Sequence, residues 1–270
     1  MNGSAHFMDG EAAMKRNQQE LNELLRVFLD FGEQMLAAGA ETKRVEDTLE
    51  RMGAAYGAVE MHVFVITSSI VITMDFPDGA EITRSRRLRN YPTTDFYRLE
   101  LLNALSRQCC VNPKSLWELK ETVSYLQKER GKRYAVYLGS MLATGSFALF
   151  FGGALRDAVC AAGIALCICG LKDGLKKICP NNIIFNFLCS LSVGIVVCLA
   201  CTLFPALHGD RIIMSGIMLL IPGLAMINAL RDMLAGDTIA GFMRLIETML
   251  WAGSLSCGFM AAIGLWGAWL

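Results

Sequence analysis

Residues 221–237 read IPGLAMINALRDMLAGD. An apolar segment carries Pro222-Gly223 and then runs into Asn228, Arg231, Asp232 and Gly236-Asp237. Proline removes a backbone donor and glycine weakens a helix, so the pair predicts a kink or a break. In water such a break has little consequence. Inside a bilayer the freed backbone groups are tolerated only where protein, water or a ligand satisfies them. The meaning of the stretch therefore depends on its solvent.

The flanking sequence points to a membrane. The 270 residues are 54% hydrophobic and 19% charged, with a mean hydropathy of +0.41. Through Arg133 the chain has 18 Lys/Arg and 19 Asp/Glu, leaving 7 and 6 for the rest. Net charge is zero, which gives no reason to expect nucleic acid as a partner. Most of the ten cysteines, Cys160, Cys167, Cys169, Cys189, Cys198, Cys201 and Cys257 among them, sit in apolar runs, where cysteine acts as a small hydrophobe. Cys198 and Cys201 have CxxC spacing but lack a second pair or nearby histidines, so neither a metal nor a cofactor is expected. No pattern of a secretory signal peptide opens the chain.

Five candidate spans follow from hydropathy: about 134–155, 154–171, 183–205, 212–230 and 248–270. The second is short, bounded by Arg156-Asp157 and Lys172-Asp173, and a re-entrant segment is its alternative. The last ends on the aromatic-rich GLWGAWL, which suits an interface. With Lys172, Lys176, Lys177, Arg231 and Arg244 in inside loops and only Arg156 and Arg211 outside, the charge bias predicts a cytoplasmic N-terminus. Arg130 and its basic neighbours before the first span add to the inside count.

The first half reads as α+β. Leu21, Leu24, Leu25, Phe28, Leu29, Met35 and Leu36 recur at helical spacing, and Val45, Leu49, Met52 and Tyr56 share a second helical face. Residues 59–66 and 70–75 are rich in β-branched side chains, and Pro77-Asp78-Gly79 turns the chain into a further strand at 80–86. Two helices are expected near 94–110 and 114–129, and residues 1–15 as a disordered start. The predicted fold class is a soluble α+β N-terminal domain, 16–133, followed by an all-α transmembrane domain of about five helices, 134–270.

AGAETKRVEDTLERMGAAYG (38–57) with the strand pair at 59–75, LNALSRQ (102–108) and IPGLAMINALRDMLAGD together resemble the threonine/serine exporter family. The resemblance covers nearly the whole chain. It implies a bacterial inner-membrane transporter that exports small amino acids or, in a two-component branch, a dicarboxylate such as succinate. Full-length members resemble this chain followed by a second membrane domain. The expected partners are therefore a second small membrane subunit, the lipid bilayer and a small-molecule substrate, with a homo-oligomer also open.

Several residues are candidates for substrate binding or proton coupling. Pro222 and Gly223 would expose half-helix ends, which many transporters use to bind substrate; the plainer reading is a kink that shapes packing. Asn228 and Asp232 are four apart, with Arg231 beside them, and ionisable residues in a membrane are candidate functional sites. Arg231 and Asp232 could instead snorkel at the cytoplasmic end. Asp237 could cap the amphipathic segment 238–247. Arg156 and Asp157 form a charged pair at the outer end of the first helical hairpin, or simply a turn. Asn186, one turn beyond Asn182, could contact ligand or a neighbouring helix. Asp157, Asp232 and Asp237 are the candidate proton carriers.

In the first half, Glu41, Arg44, Glu46 and Asp47 cluster at a helix head, as a solvated face or a ligand-sensing surface. Arg84, Arg86, Arg87 and Arg89 form a basic run suited to a solvated strand end or to anionic lipid. His62 reads as a core or structural residue. The motifs G-x-S-x-G, H-E-x-x-H and G-x-x-x-x-G-K-[ST] are absent, so the sequence makes no motif-level case for hydrolysis or ATP-driven pumping. A secondary exporter subunit is the leading expectation; a membrane-anchored sensor or enzyme working through residues 16–130 is the alternative.

Overall fold

The computed structural model describes residues 3–66, 68–77, 79–88, 95–129, 131–175, 179 and 181–267. Arg89, Arg130, Lys176, Lys177 and residues 268–270, which entered the charge and interface expectations, lie outside them, as does Asp78 of the expected turn. The chain divides into two compact units, one of Met1–Gly131 with Asn228–Met243, the other of Lys132–Ile227 with Arg244–Leu270.

In the first unit, α1 (Gly3–Ala37) runs through much of the stretch expected to be disordered and is followed by α2 (Thr42–Ala55). Between them Gly39 adopts φ 96°, a left-handed conformation that glycine reaches without a Cβ clash. Its amide donates to Leu36 and that of Ala40 to Met35, which ends α1 and turns the chain into α2. Strands β1 (Glu60–Ile66), β2 (Ser69–Asp75) and β3 (Glu81–Arg87) form one antiparallel sheet in the order β1-β2-β3. Their register pairs Ile66 with Ser69 and Asp75 with Glu81. Along β2 burial alternates, so that Ile70, Ile72 and Met74 point inward, as a half-buried strand requires. They meet Leu25, Phe28, Phe31 and Met35 of α1 and Val45, Leu49 and Met52 of α2, all fully buried. Helices α3 (Phe96–Val111) and α4 (Leu116–Lys128) complete this core through Leu102 and Leu119. A Ser115–Glu118 capping box starts α4.

The second unit holds α5 (Arg133–Phe150), α6 (Leu155–Leu175), α7 (Asn182–Leu203) and α8 (Gly209–Leu220). To these it adds the start of α9 (Gly223–Leu234) and most of α10 (Thr238–Gly267). Helix α10 approaches α7 through small residues. A Cβ at Gly258 would lie 2.0 Å from Ser190 Oγ, and one at Gly194 would lie 2.5 Å from the Ala262 Cβ. Close backbone approach of this kind is how helices associate in lipid. Large apolar side chains face outward, among them Leu142, Phe150, Val159 and Leu203, a surface that needs an apolar surrounding.

This architecture corrects the expected fold class. Most of the described residues are helical, in ten helices, and the sheet is confined to residues 60–87. No distinct soluble domain precedes a five-helix bundle, because the unit that contains the sheet also takes in Asn228–Met243. Among the described residues three helices are long and apolar enough to cross a membrane, α6, α7 and α10, and a fourth crossing arises only if α8 and α9 count as one bent span. Helix α5 falls outside this set. Its 18 residues extend about 27 Å, less than a hydrocarbon core of about 30 Å, and Arg133, Tyr134, Tyr137, Ser140 and Thr144 dilute its hydropathy. Helix α6 is longer than expected because it continues through Lys172-Asp173, where Tyr137 Oη donates to Asp173 at 3.1 Å and Arg133 pairs with it at 3.6 Å. Helix α10 likewise absorbs 238–247, expected as a separate amphipathic segment.

Candidate functional site

The apolar helix breaks where its sequence demands. Helices α8 and α9 meet at a 50° bend. Ile221 donates its amide back to Ile217, Gly223 donates to Ile221, and Met226 donates to the Pro222 carbonyl as α9 begins. Among the described residues, the Ile221-Pro222 turn accepts no bond from the amides of Leu224 and Ala225 in the first turn of α9. The first turn of a helix ordinarily leaves amides without an intrahelical partner, and with the positive end of the helix dipole such a terminus is suited to a carboxylate.

Further along α9, in the first unit, the polar side chains are tied down rather than free. Asn228 Nδ2 donates to the Gly39 carbonyl at 3.1 Å, the turn that separates α1 from α2. Arg231 forms an ion pair with Glu41, the N-cap residue of α2. Asp232 is buried, and the amide of Asp237 donates to its carbonyl at 2.9 Å. Gly236, at φ 103°, makes that turn possible. Asp237 accepts from Thr42 Oγ1 at 3.3 Å. Close by, Glu46 is buried and accepts the Val65 amide at 2.9 Å. Burial raises its pKa above the ordinary carboxylate value; the Val65 hydrogen bond opposes the shift and the Asp237 charge adds to it.

Thus Glu41, Glu46, Asn228, Arg231 and Asp237, proposed separately from sequence, come together at the head of α2. Arg44 does not join these bonds. It lines an open groove of about 460 Å³ together with Arg51, Asn103, Ser106 and Arg107. Sequence reasoning missed Thr42, Arg51 and Arg107 as part of this region. The helical period of α2 and the LNALSRQ stretch carried that signal.

In the second unit Asp157 is fully buried. Its Oδ2 accepts the Ala154 amide at 2.7 Å and lies 3.0 Å from His208 Nδ1, while Oδ1 accepts the His208 amide at 2.9 Å. His208 is the N-cap residue of α8. One carboxylate thus fastens the α6 head to the α8 head, a partnership that sequence could not show because 51 residues separate the two. Arg156, next to it, is exposed. Asn186 is half-buried on α7, where its carbonyl accepts from Ser190 Oγ.

One group among the described residues has ligand atoms close enough to hold a metal ion: Glu60, His62 and Asp75, within 4.8 Å of one another. His62 is therefore not a core residue. Its side chain is 67% exposed and its Nε2 lies 3.3 Å from Glu60. The group is assembled by the β1–β2 register, which sets Glu60 opposite Asp75.

The threonine/serine exporter family model matches residues 26–266. The chain belongs to this family. A curated relative, the threonine/serine exporter of Corynebacterium glutamicum, is 25% identical over 247 residues, covering 87% of this chain and 49% of the relative. The chain therefore spans about half the length of the curated relative it matches. No solved structure matches it. Family membership and three apolar helices make this a membrane protein, and they direct the reading of its sites toward transport rather than catalysis.

Proposed function

We propose that this chain forms part of an exporter for small hydroxylated amino acids, threonine and serine. The carrying observation is the broken α8–α9 pair, where a 50° bend sets a helix N-terminus in an apolar stretch of a chain of the exporter family. The substrate carboxylate binds these amides, where each favourable helix-terminus interaction contributes about 0.3–1 kcal/mol. Proton coupling runs through Asp232 on α9 or Asp237 in the turn that follows it. Asp157, whose two oxygens already serve three groups, has a positioning role instead.

In this reading the N-terminus is cytoplasmic, the membrane is the bacterial inner membrane, and a second small membrane subunit completes the transport path. Threonine and serine are preferred over a dicarboxylate because the relative is a threonine/serine exporter. The sensor or enzyme alternative has no comparable support.

The test loads cells expressing this chain, with and without the second subunit, with a threonine-containing dipeptide or with labelled succinate. Threonine efflux that requires both chains and is lost in Pro222→Leu supports the reading. Succinate efflux alone would replace the substrate class, and no efflux of either from cells holding both chains in the membrane would remove the reading.

A further inference from the structure

We propose that the groove between α2 and α3 is a binding site for a small oxyanion of two or more negative charges, bearing phosphate or carboxylate groups. Helix α2 presents Arg44, Thr48 and Arg51 on one face at spacings of four and three residues. Helix α3 contributes Asn103, Ser106 and Arg107. Arg44 and Arg51 are two turns apart, about 10 Å along the axis, a distance that long arginine side chains close easily over a cavity of about 460 Å³.

The charge of the groove is unbalanced. Two of its cations are already matched, Arg231 by Glu41 and Lys43 by Asp47 at 3.3 Å. Arg44, Arg51 and Arg107 have no carboxylate within ion-pair distance among the described residues, so three guanidinium groups share one concavity. Like charges gathered in this way repel each other, and a multivalent anion relieves the repulsion. Guanidinium forks match carboxylate and phosphate oxygens in bidentate pairs.

The polar wall supplies one neutral donor, because the protons of its two hydroxyls are already committed to backbone carbonyls. Ser106 is buried and directs its hydroxyl proton to the Asn103 carbonyl at 2.9 Å, and Thr48 directs its own to the Arg44 carbonyl at 2.7 Å. The Asn103 side-chain amide remains as a neutral donor. A zwitterion of zero net charge would leave the cationic excess uncompensated, so the site does not take the proposed export substrate.

Occupancy has a structural consequence. Arg231 lines the groove while pairing with Glu41, so a bound anion competes with Glu41 for that guanidinium and loosens the tie between α9 and the head of α2. The groove is then a sensing site for cytoplasmic anions or for anionic headgroups. The inference goes beyond the export reading and is measured without transport.

The experiment uses the full chain in nanodiscs of zwitterionic lipid, titrated with inorganic phosphate and separately with succinate, and read by calorimetry. A second preparation contains phosphatidic acid and receives no added anion. Its thermal stability shows whether a lipid headgroup fills the groove. Variants are Arg44→Gln and Arg107→Gln, with Arg26→Gln on the exposed side of α1 as a control for charge alone.

Saturable binding of one anion, weakened about tenfold or more by each groove variant and unchanged by Arg26→Gln, is the expected result for a free ligand. Stabilisation by phosphatidic acid that is lost in both groove variants and kept in Arg26→Gln assigns the same chemistry to a headgroup. No saturable binding below about 10 mM and no lipid effect would overturn the proposal, as would equal losses in all three variants.

Discussion

Replacing Asp157 separates a fastening role from a proton-carrying one. Asp157→Ala removes the acceptor for the Ala154 and His208 amides, at 2.7 and 2.9 Å, and the contact to His208 Nδ1 at 3.0 Å. The carboxylate is fully buried. Two backbone donors left without partners cost about 1–3 kcal/mol each, so the variant should lose about 2–6 kcal/mol. At about 2–4 °C per kcal/mol for a body of this size, the transition should fall by roughly 4–24 °C. His208→Ala keeps both backbone bonds and removes only the contact of an imidazole whose side chain is 43% exposed, which should cost about 0.5–1.5 kcal/mol. The assay is thermal unfolding of the purified chain in detergent, followed with a thiol-reactive dye, since Cys169 and Cys189 are free and buried in the same unit. The reasoning fails if Asp157→Ala unfolds within about 2 °C of wild type. Lost export in such a stable variant would make Asp157 a transport residue.

Three further outcomes are expected. Gly258→Ala should destabilise the α7–α10 contact by about 1–3 kcal/mol, because its Cβ meets Ser190 Oγ at 2.0 Å and the Phe187 carbonyl at 2.6 Å. Gly253→Ala in the same helix, with nothing within 4 Å, should be neutral or stabilising by up to about 1 kcal/mol, and equal effects of the two in thermal melts would refute the packing argument. Glu46, whose folded-state pKa is raised by burial, contributes stability when protonated; that contribution is complete below its unfolded value and is lost as pH rises through the folded one. The melting temperature of wild type relative to Glu46→Gln should therefore fall with rising pH across that window, and parallel curves would contradict it. Arg231→Gln removes an ion pair whose side chains are 60% and 23% exposed, so it should cost only about 0.2–1 kcal/mol; a transition lowered by more than about 5 °C would show that the pair carries more of the fold than its exposure allows.

Much of the local structure was legible because it rests on short-range rules. Pro222-Gly223 breaks its helix, and the β-branched runs at 59–66 and 70–75 pair as a hairpin. Span ends were harder to read. Lys172-Asp173 looked like a boundary, yet Arg133 and Tyr137 satisfy Asp173 and α6 continues through it. Arg244 and Glu247 looked like an amphipathic prelude, yet α10 runs past both, with Arg244 buried. Long-range pairing left no local trace. Glu41 and Arg231 are 190 residues apart, and Asp157 meets His208 only through the packing of α6 and α8. For the same reason the fold class was misread, since Asn228–Met243 joins the unit formed by the first 131 residues.

The most direct test of the central claim is transport by the purified chain, reconstituted into proteoliposomes with the proposed second subunit, using labelled threonine and an imposed pH gradient. The account predicts saturable threonine movement that serine competes for, that the gradient drives, and that Pro222→Leu abolishes without lowering the melting temperature by more than about 5 °C. Vesicles that hold both chains yet move neither threonine nor serine above the protein-free rate would contradict it.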